Sequence, residues 1–447
     1  MPSTESHSVN QSRRAFLQQS GSLIAGVSLA CTVAPRVHAA EKNEIKIALV
    51  GCGGRGGGAA ADALQGAGGP AKIHALADVF EEKVVGYARF FAEQLGEKAT
   101  VPKERQFHGL DAYKNAIDTL DPGDVVLLAT APVFRPTHVD YAIRKGINVF
   151  MEKSFAVDAP GIRRIQAASQ LADEKNIKLA CGLMWRHNNA HAETVKRIQD
   201  GMCGNIIHMR TYRYESGVPY VLRREDESEL AHQIRNFHSF TWTNGSFFLD
   251  WCVHNVDICC WAKQAWPESA IGMGGRTHNT VGGQVFDHQH VEYFFPDGTN
   301  LLAYARHIPG CPCFYADHIQ GTKGRATILG GFNIMKNHAF NATNEALWSF
   351  EGPENNPYVE EHVRFFDAIR NDKPYNEGHR AAEAALAGIM GRMAFESGQH
   401  IYRDAALASN IELFPNVDTI SWDSPPPVIP DENGHYPHAI PGVTVTV

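Results

Sequence analysis

From residue 45 onward, short apolar runs alternate with stretches of helical periodicity. Ile45-Lys46-Ile47-Ala48-Leu49-Val50 is the first run, and a helical stretch follows it across a cluster of glycines. Lys72-Ile73-His74-Ala75-Leu76-Ala77 is the second. Asp124-Val125-Val126-Leu127-Leu128-Ala129-Thr130 comes next, bounded by Asp121-Pro122-Gly123. His138 to Lys145 has the pattern of a helix closed by Gly146, and Ile147-Asn148-Val149-Phe150 is a further short strand. Strands alternating with helices predict an α/β fold with a doubly wound parallel sheet. Ligands of such sheets sit beyond the strand C-termini. Gly51, Asp78, Thr130 and Lys153 lie at such ends, so one crevice would bring them together. Farther on, Val253, Val256, Ile258 and Trp261 predict a helix with one buried side. Tyr358 to Arg370 and His379 to Gly398 read as amphipathic helices that return to the first unit. From Pro415 the pattern fades into an irregular tail containing Pro425-Pro426-Pro427.

The glycines after the first run bring chemistry into this outline. Gly51-Cys52-Gly53-Gly54-Arg55-Gly56 is a G-x-G-x-x-G fingerprint between a strand and a helix. Gly51 allows the tight turn, Gly53 lets the backbone approach a pyrophosphate, and Gly56 lets the helix pack on the strand. Unpaired N–H groups at the helix start then face the phosphates. Asp78, at the end of the second strand, is placed to accept hydrogen bonds from ribose hydroxyls. Its charge would repel a phosphate on that ribose, Glu81 and Glu82 add to the repulsion, and no Arg stands beside it. NAD is therefore expected rather than NADP.

Composition narrows the class. The chain has 447 residues, 44% of them hydrophobic, which suits a soluble enzyme of two domains. A net charge of −8 argues against a nucleic-acid partner. The nine Cys are scattered without paired C-x-x-C spacing, and Asp287-His288-Gln289-His290 alternates like a strand, so no metal is expected. Ser12-Arg13-Arg14-Ala15-Phe16-Leu17, the weakly apolar Ser20 to Ala34, and Val37-His38-Ala39 follow the order of a twin-arginine export signal. The apolar stretch is too short to span a membrane. A mature, exported chain is expected to begin near Ala40, with no transmembrane segment and in the periplasm or an equivalent compartment.

A second constellation is Asp250-Trp251-Cys252-Val253-His254-Asn255-Val256-Asp257. On an α-helix Asp250, His254 and Asp257 share one face. An Asp one turn from a His fixes the imidazole's tautomer, and the His then exchanges a proton near neutral pH. A solvated polar stripe gives the same spacing.

With these motifs in hand the chain resembles the Gfo/Idh/MocA family, which includes glucose–fructose oxidoreductase and inositol dehydrogenases. The likeness runs to about residue 400. It rests on the fingerprint Gly51 to Gly56, on Glu152-Lys153-Ser154 in place of the family's E-K-P, and on Asp250 to Asp257 in place of D-x-G-x-H-x-x-D. Thr130-Ala131-Pro132 with His138, and Gly201-Met202-Cys203-Gly204, match two further segments. The resemblance implies an N-terminal Rossmann domain. A C-terminal α/β domain would follow, with a large, mainly antiparallel open sheet that carries the contacts of a dimer or tetramer. The expected layout is a signal over 1–39, an NAD domain over 40–155, a substrate and oligomerisation domain over 156–410, and a tail over 411–447.

Roles follow from the same resemblance. Lys153 would lie by the nicotinamide and the reacting hydroxyl, stabilising an alkoxide or relaying a proton. His254 would be the general acid/base, and Asp250 would hold substrate or orient that His. Gly51, Gly53, Gly54, Arg55, Gly56, Asp78, Thr130, Pro132, His138, Glu152 and Lys153 would contact the cofactor. Trp185 and Arg186, in a segment that borders the site, are candidates for a sugar, as are Asp250 and His254; Trp185 packed in the core with Arg186 at the surface is an equal reading. Two departures stand out. Ser154 replaces the usual Pro and removes a fixed φ, and Cys252 replaces the usual Gly. Outside the cytoplasm no pool of NAD is at hand, so tight retention is expected, roughly nanomolar or near −12 kcal/mol. Three functions remain: an NAD-dependent oxidoreductase acting on a sugar or polyol hydroxyl, a redox-neutral NAD-dependent glycoside hydrolase or lyase, and a non-catalytic sugar- or NAD-binding protein.

Overall fold

In the computed structural model the first apolar run pairs on both sides. β1 (Ile45–Val50) lies parallel between β2 (Ala71–Asp78) and β4 (Val125–Leu128). With β3 (Gln106–His108), β5 (Asn148–Met151) and β6 (Leu179–Cys181) it forms a six-stranded sheet in the order β3-β2-β1-β4-β5-β6. This is the doubly wound order, with the reversal at β1 and β4 where nucleotides bind. Every residue of β4 and β5 is buried, which explains their near-continuous apolar sequence. β6 pairs parallel with β5, so the sheet takes in residues as far as 181, past the boundary expected at 155. The structure describes residues 44–278, 282–330 and 336–447, and the expected signal over 1–39 lies outside them.

A second sheet of nine strands follows. Its strands are β7 (Ile206–Glu215), β8 (Ser269–Gly275), β9 (His288–Phe294), β10 (Asn300–His307), β11 (Phe314–Gly321), β12 (Gly324–Leu329), β13 (His338–Asn341), β14 (Ala346–Ser349) and β15 (Ile401–Tyr402). Their order is β14-β13-β12-β11-β7-β10-β9-β8-β15; β10 and β7 are parallel and the other pairs antiparallel. β9 and β10 alternate between buried and half-buried positions, so one face packs inward. His288 and His290 share the outer face while Gln289 points into the core.

Helix Gly378–Ser397 joins the two sheets. It was expected to be amphipathic, yet nearly all of it is buried. Its small residues permit this: a Cβ on Gly391 would come within 2.6 Å of the Tyr293 hydroxyl, and one on Gly388 within 2.6 Å of Leu249. Helix Pro357–Arg370 returns to the first unit, where Gly66 sits against the Cβ of His362. The tail folds back on its own chain. Phe414 packs on Trp242 at 5.0 Å and Tyr436 on Phe240 at 4.9 Å, and the Thr446 hydroxyl donates to the Met393 carbonyl. Among the described residues no helix is long and apolar enough to cross a membrane, no group of His, Cys, Asp and Glu could hold a metal, and the cysteines are free.

Candidate active site

The glycine cradle forms where β1 gives way to helix Gly54–Gly66. Gly51 has φ of +105°, and a Cβ there would lie 2.5 Å from the Ala129 carbonyl carbon. By contrast, a Cβ on Gly53 or Gly54 would point into open space. Gly53 caps the helix without any side-chain hydrogen bond, so the first-turn amides are left for a ligand, with room in front of them. That arrangement fits the phosphates of a dinucleotide.

Asp78 and its neighbours form the adjoining pocket. The Asp78 carboxylate accepts from the Cys52 amide at 2.8 Å and the Phe80 amide at 3.0 Å, one bond per oxygen, and each oxygen keeps a lone pair. Asp78, Tyr113, Thr130, Phe134 and His138 line one narrow cleft. The His138 ring stacks on Tyr113 at 4.0 Å, and its Nδ1 lies 3.3 Å from the Thr130 hydroxyl. Burial pushes this imidazole down to about 3, so it is neutral. Pro132 opens the short turn Pro132–Phe134 that follows Thr130.

Lys153 leaves the tip of β5 and reaches the second constellation. Its ammonium donates to the Asp250 carbonyl at 2.6 Å and to Asp250 Oδ1 at 2.5 Å. Asp250 Oδ2 accepts from His238 Nδ1 at 2.9 Å. Burial alone would push the Asp250 carboxyl up. Lys153 and His238 outweigh it and hold the group well below the usual range, so Asp250 is ionised. The Trp251 ring lies 5.3 Å from the ammonium. His254 is buried, and its Nδ1 has no hydrogen-bond partner among the described residues. Burial pushes this imidazole well down; Lys153 and Arg213 push it further, and Asp250 pulls against them. His254 is therefore a neutral imidazole within the field of the Lys153–Asp250 pair.

Sequence periodicity placed Asp250, His254 and Asp257 on one helical face. In the structure Asp250 and Asp257 meet different partners. Phe248–Cys252 is a π-helical turn, and the α-helix proper starts only at Val253. The wider turn aims Asp250 at Lys153 and His238, as such turns often do at functional sites. Asp257 instead accepts a two-pronged bond from Arg186, at 2.7 and 2.8 Å. Arg186 also lies 4.9 Å over the Trp261 ring, and Trp185 stacks on His191 at 4.7 Å. These two residues are thus engaged with protein partners. Asn255 donates to Asp317 on β11 at 3.0 Å, which sets the rotation of the helix that carries His254.

Two loop residues complete the join between the halves. Glu152 accepts from Arg55 Nε at 2.5 Å, and Arg55 lies 4.6 Å over the Tyr358 ring, so the fingerprint helix is tied to the Lys153 loop. Ser154 lacks the fixed φ of the Pro it replaces. Its hydroxyl instead donates to the Leu249 carbonyl at 2.9 Å, next to Asp250. Cys252 is fully buried in the π-helical turn.

Three residues were not singled out from the sequence. His238 is one. Arg213 on β7 is another: it lies 5.3 Å from the Trp251 ring and 4.0 Å from the Tyr315 ring and pairs with Glu215 at 3.0 Å. Arg135 is the third. It is fully buried and donates to the Leu128 carbonyl and to the Thr130 carbonyl, capping the end of β4. Burial brings its guanidinium down to about 10, so it stays charged at neutral pH. Arg135→Met is expected to lower the unfolding free energy by about 3 kcal/mol, because two buried carbonyls lose their donor. A shifted midpoint in urea denaturation checks this.

Known proteins share this fold. No protein-family model matches the chain. A scyllo-inositol 2-dehydrogenase (NAD(+)) of Bacillus subtilis (strain 168) is 25% identical over 160 residues, which is 36% of this chain and 41% of that protein. The match thus spans about two fifths of the relative's length. Among solved structures, myo-inositol 2-dehydrogenase from Lactobacillus plantarum superposes with a TM-score of 0.61 at 17% identity, over 80% of this chain and 99% of its own. Aldose–aldose oxidoreductase from Caulobacter crescentus, complexed with glycerol, gives 0.61 at 15% identity, over 80% of this chain and 100% of its own. The two-sheet α/β architecture is that of these dehydrogenases.

Proposed function

We propose that the chain is an exported, NAD-dependent oxidoreductase of the Gfo/Idh/MocA type that moves a hydride to or from a carbinol carbon of a sugar or polyol. The observation that carries this reading is the Lys153–Asp250 contact of 2.5 Å at the carboxyl edge of the first sheet. On the same edge stand the glycine cradle and Asp78. A nicotinamide held there supplies the hydride acceptor or donor. The remaining work belongs to the chain. The Lys153 ammonium stabilises the developing alkoxide, and Asp250 fixes that ammonium in place. His254, held neutral, hydrogen-bonds the reacting hydroxyl.

Asp78 favours NAD over NADP, since its carboxylate, already held by two amides, repels a ribose phosphate. The twin-arginine pattern supports export, and export favours a cofactor retained through both half-reactions. The outer face of the second sheet stacks Tyr212, Tyr304 and His290, at 5.2 and 4.5 Å, and suits the contact of a dimer or tetramer. Two measurements test the reading. Native mass spectrometry of the periplasmic protein is expected to find dinucleotide on most copies. A panel of sugars and polyols is expected to change the fluorescence of that bound cofactor. Copies devoid of dinucleotide, or a silent panel, would refute the proposal.

A further inference from the structure

We propose that the cavity at the far end of the helix carrying His254 is a second ligand site, built for a neutral sugar and separate from the dinucleotide cleft. Its volume is about 510 Å³, within the range of small-molecule sites. It lies where the end of helix Val253–Lys263 meets helices Ala159–Glu174 and Asn189–Gln199 and the start of helix Gly378–Ser397. Trp261 lines it, and about 10 Å of helix separates Trp261 from His254. The glycine cradle, Asp78, Lys153, Asp250 and His254 take no part in its wall. The inference goes beyond the oxidoreductase reading and does not rest on it.

The wall combines indoles with amides. Trp261 and the half-buried Trp266 supply flat apolar surface, which suits the C–H face of a sugar ring. Gln166, Gln199 and Gln264 stand beside them. An amide both donates and accepts, as hydroxyl groups require. Gln199 donates to the Trp261 carbonyl at 2.7 Å, whereas the side chains of Gln166 and Gln264 bond to no other described residue. Gln264 gives an independent indication. It closes its helix in the left-handed conformation, with φ of +57°. Gly is usual at such a position and Asn next, so a Gln there is kept against its backbone preference. What it brings is an amide in the wall of the cavity.

Charge selects a neutral ligand over an acid. Arg186 is matched by Asp257 at 2.7 Å, and Arg380 by Glu377 at 2.7 Å. Glu383 adds a carboxylate to the wall and pairs with Arg403 at 2.5 Å, while His379 meets Asp173 at 2.8 Å. No cation among these groups is left over for an anion. Hydroxyl groups still find a donor, because Arg186 spends Nε and Nη2 on Asp257 and keeps Nη1 free of described partners.

Indole ¹⁵N–H resonances of the full chain, titrated with glucose, maltose and cellobiose, test this. The resonance lost in Trp266→Phe identifies Trp266. At least one of these sugars is expected to shift it saturably, and the shift should survive in Lys153→Met. Gln264→Gly and Gln166→Ala are each expected to raise the Kd about tenfold, the scale of one or two lost hydrogen bonds. Gln264→Gly should keep or raise the unfolding midpoint, since Gly adopts the left-handed conformation freely, so weaker binding there is not misfolding. A Trp266 resonance unmoved by all three sugars, equal affinity in both Gln variants, or tighter binding of glucuronate than of glucose would overturn the proposal. A protein that oxidises no sugar yet shows the Trp266 shift would keep this site and lose the oxidoreductase reading.

Discussion

Turnover of a Lys153→Met protein is expected to fall about a thousand-fold, the scale of losing one preorganised donor to a developing oxyanion. Met keeps much of the length and the apolar stem of Lys and removes the charge. The ammonium is held by two contacts to one residue, the Asp250 carbonyl and Oδ1, so it cannot wander. That fixity is what makes the loss large: a charge held in place before reaction needs no rearrangement as the alkoxide forms. The glycine cradle and Asp78 are untouched, so dinucleotide affinity should stay within about twofold while kcat falls. A KM effect with unchanged kcat would make Lys153 a binding group only. The variant also strands a buried carboxylate, since Asp250 retains only His238, and about 3 kcal/mol of stability should be lost with it. Lys153→Arg separates the two effects. It restores a positive partner for Asp250, hence most of the stability, but a planar fork does not place charge where the ammonium does. Thermal unfolding and steady-state rates on both variants check the argument.

The parallel sheet was legible because its information is local. Each strand is a short apolar run, each run is bounded by Gly, Pro or Asp, and the fingerprint sits between a strand and a helix. Asp78 and Lys153 were legible for the same reason: a strand end is a position along the chain. What failed to show was relation across the chain. His238 precedes Asp250 by 12 residues and meets it only because a short helix and a turn bring the chain back, with the His238 ring 6.2 Å from that of Trp251. Arg135 looks like one more charge at a helix start, and nothing in its neighbours says that it caps β4. The π-helical turn has no signature in the pattern either. A period of 3.6 carried through Phe248–Cys252 gave Asp250 and Asp257 one face, whereas they serve different partners. The reach of the first sheet to residue 181 was hidden for a related reason. β6 has only three residues, Leu179–Cys181, and its membership shows in its pairing with β5 rather than in its sequence. Helix Gly378–Ser397 misled in the opposite sense: its Ala- and Gly-rich sequence lets it be buried all round, which a search for an apolar stripe does not capture.

Gly56→Ala is expected to abolish dinucleotide binding, raising Kd by more than about a hundred-fold, or about 2.7 kcal/mol. The added Cβ would lie 1.9 Å from the Gly51 carbonyl oxygen, 3.1 Å from its carbon and 3.3 Å from the Ala129 Cβ. The first two are backbone atoms, and φ of Gly51 is +105°, so no side-chain rotation relieves the clash. Helix Gly54–Gly66 must back away from β1. That shift carries Gly53 and Gly54 with it, and the open space before them is where the phosphates would lie. It also pulls Arg55 from Glu152, and so disturbs the loop that holds Lys153. Overpacking of this kind costs about 2–3 kcal/mol of stability. Gly58→Ala is the matched control: its Cβ would meet only the tip of Arg55, at 3.3 Å, a group able to move. That variant should keep its affinity within about threefold. Fluorescence titration with NADH and urea denaturation of both proteins test the pair. Equal affinities would mean that the dinucleotide does not sit on this helix at all, because a clash with Gly51 cannot be absorbed without moving the amides proposed to hold it.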